Sequence, residues 1–220
     1  MRKFLYENSL TLVLLLITLG ALAGQALTGW HQFNAAQRDF GQATIGLGAY
    51  LTTGHFVESV FENWESEFLQ MGCYVMFTIW LRQKGSADSK QVDGSGDEVD
   101  REPDPNKKDA PGPVRRGGWV LAVYRRSLTL ALFSLFAVSF VLHAYGAARN
   151  HNHEEALKGK PAHETTLSIL GTSEFWFQSL ENWQSEFLSV ATVVVLSIFL
   201  RQHGSPESKP LDAAHDETGE

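Results

Sequence analysis

Only one cysteine, Cys73, occurs in the 220 residues, and it sits inside an apolar run. No intramolecular disulfide can form, so cysteine gives no clue to compartment. A thiol in apolar surroundings is inert rather than nucleophilic. Proline is missing before Pro103, and none of the seven lies within an apolar run, which leaves the expected helices free of proline kinks. Positive charge is short as well. With 18 Lys and Arg against 25 Asp and Glu, the formal net charge is -7 and the pI about 5.6, the wrong sign for a nucleic-acid partner. There is no Gly-rich phosphate loop, no His-Glu-x-x-His and no nucleophile elbow. The sequence therefore predicts no enzyme, no cofactor and no metal.

What the chain does have is one stretch written twice. Glu62-Asn63-Trp64-Glu65-Ser66-Glu67-Phe68-Leu69 recurs 119 residues later as Glu181-Asn182-Trp183-Gln184-Ser185-Glu186-Phe187-Leu188. The same offset carries Leu81-Arg82-Gln83-Lys84-Gly85-Ser86 into Leu200-Arg201-Gln202-His203-Gly204-Ser205. Upstream, Ser9-Leu10-Thr11-Leu12 matches Ser127-Leu128-Thr129-Leu130 with the offset reduced by one. Self-similarity of this kind fixes the architecture before any other feature is read.

Apolar runs at 10–27, 68–81, 127–145 and 187–200 alternate with polar stretches. Met1-Arg2-Lys3 followed by an apolar core and Ala21-Leu22-Ala23 has the outline of a secretory signal. However, the counterpart run at 127–145 lies mid-chain, so the first copy is expected to be a retained membrane helix. Residues 10–27 approach the ~20 that a bilayer crossing needs. Counted from Trp64 and Trp183, the shorter runs approach it too, with tryptophan at one interface and Arg82 or Arg201 snorkelling at the other. Ahead of each, Phe56, Val57, Val60, Phe61 and Phe175, Trp176, Leu180 follow the helical period as amphipathic lead-ins. The first of these helices starts either at Ser59, through a capping box, or near Thr53.

The expected fold is all-α, a four-helix transmembrane bundle made of two parallel two-helix repeats. Repeat unit 1 covers 1–83, with spans at about 10–27 and 64–81 and an outer amphipathic helix at about 53–63. A disordered cytoplasmic linker follows at 84–118, rich in Pro, Gly and charge. Repeat unit 2 covers 119–203, with spans at about 127–145 and 183–200 and an amphipathic helix at about 172–182. A disordered tail occupies 204–220. Fourteen of the Lys and Arg fall on the side of both termini and the linker, against four on the other, so the termini are predicted to be cytoplasmic.

On a helical wheel Glu62, Asn63, Ser66, Glu67 and Gln70 fall within an arc of about 140°. Glu181, Asn182, Ser185, Glu186 and Ser189 form the equivalent stripe of copy two. Polar residues on a membrane helix pack and hydrogen-bond against neighbours. Carboxylates at membrane depth can instead line an ion path. His151-Asn152-His153-Glu154-Glu155 with His163 reads as a solvated polar loop rather than a zinc or copper site. His143, which matches Gln25, reads as a packing or interfacial residue.

The doubled Glu-Asn-Trp-x-Ser-Glu-Phe-Leu with its Leu-Arg-Gln-x-Gly-Ser resembles a bacterial integral membrane protein family known only as a domain of unknown function. The resemblance covers nearly the whole chain apart from linker and tail. It implies an integral membrane protein of bacteria and brings no ligand or catalytic residue; the expected location is the bacterial inner membrane, multi-pass, with the lipid bilayer as partner. Two functions stay open. One is binding or passing a small ion or solute along the polar face between repeats. The other is an accessory or scaffold role, in which the outer amphipathic helices hold a partner.

Overall fold

The computed structural model describes residues 2–94 and 96–219, and every regular element among them is helical. In chain order these are α1 (Arg2–Glu7), α2 (Ser9–Asp39), α3 (Leu47–Tyr50), α4 (Gly54–Phe77), a 3₁₀ turn at Glu98–Asp100, α5 (Gly112–Arg116) and α6 (Gly118–Tyr124). They are followed by α7 (Ser127–Leu157), a 3₁₀ turn at Ile169–Gly171 and α8 (Ser173–Phe199).

Helices α2, α7 and α8 are long and apolar enough to cross a membrane. The apolar part of α2 has no buried residue; Leu10 is 73 % and Leu16 72 % exposed. Apolar surface left open on that scale suits hydrocarbon, not water. At 24 residues α4 has the length to cross, but every 18-residue stretch of it holds Glu62, Glu65 and Glu67. Charge at that density is costly in lipid. Its counterpart α8 is more apolar because Phe177 and Gln184 stand where α4 has Glu58 and Glu65.

Both 31-residue helices outrun their apolar runs. α2 continues to Asp39 because Trp30–Asp39 contains neither glycine nor proline; it stops ahead of Gly41, whose φ of 67° favours glycine. There Gln42 N–H donates to the Gln37 carbonyl at 2.8 Å, the six-to-one bond of a Schellman ending. α7 ends identically at Gly159 (φ 70°), with Lys160 N–H on the Glu155 carbonyl at 2.9 Å. His151–Glu155 is thus the last part of α7 and not a loop.

The likeness between copies extends to single hydrogen bonds. Asn34 donates to the Ile45 carbonyl at 2.9 Å and accepts from its N–H at 2.8 Å. Asn152 does the same for Glu164, at 2.7 and 2.8 Å. Ser89 and Ser208 accept from the N–H of Gln83 and Gln202, each at 2.8 Å.

The chain divides into two compact units to which α4, α7 and α8 all contribute. The first comprises residues up to Glu62 with Phe140–Trp176. Its core is Ala144, Ala147, Ala148, Ile169 and Phe175, with Phe140 and Leu170 packed against it. Ala144, Gly146, Ala147 and Ala148 are small and let helices approach closely, as membrane helix pairs favour. A second group of rings joins Phe33, Tyr50, His55 and His153; His153 stacks on Phe33 at 5.0 Å and bonds Gln37 at 3.1 Å.

The second unit comprises Asn63–Ser139 with the chain from Phe177 onward. Here the Phe133 ring lies against Gly72, and the Phe136 ring meets Trp183 edge-on at 6.5 Å. At its polar end the Lys209 ammonium donates to the carbonyls of Ala214, His215 and Glu217, at 3.0, 3.1 and 2.8 Å. Gly85 N–H donates to the Thr218 hydroxyl at 2.8 Å.

Candidate functional site

Helix α4 buries a polar face. Glu58, Glu65, Ser66 and Gln70 are all buried, Glu62 is half-buried, and Gly72 is buried beside them. At 3.6 residues per turn these positions fill an arc of about 160° centred on Glu62. Trp64 and Met71, near the opposite pole, are 38 % and 42 % exposed.

In the second unit this face holds a buried carboxylate. Glu65 is fully buried, and its Oε1 accepts from the Ser179 hydroxyl at 2.8 Å and the Trp183 indole N–H at 3.2 Å. Both donors stand on α8 four residues apart, one turn of one helix face. Ser179 is itself fully buried. Taking a carboxylate out of water is costly unless donors converge on it, and here a hydroxyl and an indole do so.

In the first unit a second set forms. Ligand-capable atoms of Glu58, Glu62 and His143 lie within 4.8 Å of one another, with Glu58 and His143 buried. Glu58 and Glu62 are one turn apart on α4, and His143 comes from α7, its ring stacked on Phe175 at 4.5 Å. The approach depends on Gly146, one turn beyond His143. A Cβ there would stand 2.4 Å from the Glu58 backbone nitrogen. On the same part of α4, Gln25 donates to the Ser59 carbonyl at 3.0 Å.

The residues of the two sequence stripes are placed as follows. Ser66 and Gln70 are buried, Glu62 is half-buried, and Asn63 and Glu67 are exposed. In copy two Asn182 and Glu186 are half-buried, whereas Glu181, Ser185 and Ser189 are exposed. The hydroxyls of Ser185 and Ser189 bond back to their own helix, on Asn182 and Glu186 carbonyls at 2.9 and 2.7 Å. Of the four anchors, Trp64 is exposed and Trp183 turns to Glu65. Arg82 donates to the Trp80 carbonyl at 2.7 Å, and Arg201 to the carbonyls of Ser197 and Ala213 at 3.1 and 3.0 Å.

Sequence reasoning missed Glu58, Glu65, Ser179 and the role of His143. A signal for Glu65 was present, since position 65 is the only one at which the two copies of the octet differ.

No curated protein and no solved structure matches the chain. A family model described as Domain of unknown function (DUF6766) matches residues 1–220, and the chain belongs to that family.

Proposed function

We propose that this is a non-enzymatic multi-pass protein of the bacterial inner membrane that binds or passes a small cation along the polar face of α4. In this reading α4 is a fourth crossing. The four long helices form a bundle of two parallel two-helix repeats, with both termini cytoplasmic. The observation that carries it is Glu65, a fully buried carboxylate on a helix whose opposite face exposes Trp64 and Met71. An ionisable group at membrane depth is costly, and such groups mark ion and proton pathways. The excess of Lys and Arg on the side of the termini supports the orientation.

A second reading keeps the membrane location but makes the protein a scaffold. Phe177 and Leu180, in the amphipathic lead-in of copy two, are 69 % and 55 % exposed and could seat a partner.

Flux separates the two. Purified protein in liposomes is expected to dissipate an imposed K⁺, Na⁺ or H⁺ gradient faster than protein-free vesicles do. Glu65→Gln, which keeps an acceptor and drops the charge, is expected to return the rate to the protein-free level. Wild-type protein with no flux above empty vesicles would leave the scaffold reading.

A further inference from the structure

We infer that Glu58, Glu62 and His143 form a binding site for one divalent first-row transition-metal ion, with Zn²⁺ or Mn²⁺ as the type. The set combines two carboxylate ligands with one imidazole, a mixed oxygen and nitrogen donor group that suits such ions and not soft Cu(I). Their ligand-capable atoms already lie within 4.8 Å of one another, so an ion needs only side-chain adjustment to gather them.

The balance of charge fits as well: two carboxylates and one neutral imidazole around a divalent ion form an electroneutral group, and Glu58 and His143 are both buried. Support beyond the ligands is also in place. Phe175 stacks on the imidazole and fixes its plane, and Gly146 admits the α4 backbone to van der Waals range of α7. Orientation of ligands by such surroundings is what separates a site from a chance cluster.

The duplication makes the set singular. At the positions equivalent to His143, Glu58 and Glu62 the chain has Gln25, Phe177 and Glu181, so the other copy keeps one carboxylate and loses both further ligands. One ion per chain is therefore expected. This site is separate from Glu65 and does not depend on cation flux.

The test is metal titration of the full chain, purified in detergent without a histidine tag and stripped by a chelator. Zn²⁺ is expected to bind at one equivalent and raise the melting temperature, and Co²⁺ to give visible ligand-field bands. Glu58→Gln and His143→Gln are near-isosteric variants, so each can keep the fold while losing a ligand. Each is expected to weaken Zn²⁺ binding by at least about tenfold, while Glu181→Gln leaves it unchanged. Absence of stoichiometric binding by wild type overturns the site. So does binding that survives in the Glu58→Gln, His143→Gln double variant, because it assigns the metal to the surface histidines.

Discussion

Replacing Glu65 with alanine is expected to lower stability by about 2–3 kcal/mol. The fully buried Ser179 hydroxyl and the half-buried Trp183 indole then lose their shared acceptor. Stranded donors in a soluble core cost about 1–3 kcal/mol each. Interhelical hydrogen bonds in membranes average only about 0.6 kcal/mol, with a maximum near 1.7, because the unfolded chain in lipid also finds partners. Two donors and an unfilled cavity place the sum in the stated range. A buried carboxylate carries its own desolvation cost, and alanine removes that cost too. Glutamine is the informative comparison: it drops the charge, retains an acceptor, and is expected to change stability by less than about 1 kcal/mol. Unfolding in mixed micelles of detergent and SDS, followed by circular dichroism, measures both. If alanine proves no worse than glutamine, Glu65 is not the acceptor that joins α4 to α8.

Gly146→Val is expected to disrupt the first unit strongly. A Cβ at 146 would meet the Glu58 nitrogen at 2.4 Å, the Glu58 Cα at 2.8 Å and the Val57 carbonyl carbon at 2.9 Å. All three are backbone atoms, so no rotamer relieves the clash and the two helices must separate locally. Overpacking costs about 1–3 kcal/mol where side chains can give way, and the upper end or beyond applies here. Separation also parts His143 from Glu58 and Glu62, so Zn²⁺ binding is expected to fall along with the melting temperature. Gly20 is the control. Nothing lies within 4 Å of a Cβ at that position. Gly20→Ala is therefore expected to be neutral or to stabilise by up to about 0.5–1 kcal/mol, the intrinsic helix preference. Equal tolerance of both substitutions would show that α4 and α7 do not cross at Gly146.

Much of the architecture is legible in the residues because lipid imposes simple demands. Uniform apolar runs at 10–27 and 127–145 announce helices whatever they pack against, and the repeated octet places α4 and α8 in register. The helix ends were harder to see. α2 and α7 continue past their apolar runs because nothing breaks them before Gly41 and Gly159, and hydropathy does not register a polar helix. The site was harder still. Periodicity selects residues shared by the two copies, yet Glu65 corresponds to Gln184, Glu58 to Phe177 and His143 to Gln25. Where duplicated units pair, their interface need not be symmetric, so one carboxylate and its donors can replace two. A wheel drawn on shared residues has its middle near Asn63, whereas the buried arc is centred near Glu62 and takes in Glu58 and Glu65.

The inward turn of this polar face is tested most directly by oxygen accessibility of spin labels along α4 in liposomes. Trp64→Cys, Ser66→Cys, Gln70→Cys and Met71→Cys would each be labelled in a Cys73→Ser background. Labels at 64 and 71 are expected to collide freely with lipid-dissolved oxygen, and labels at 66 and 70 to be shielded. High oxygen accessibility at 66 and 70, or none at 64 and 71, would contradict it.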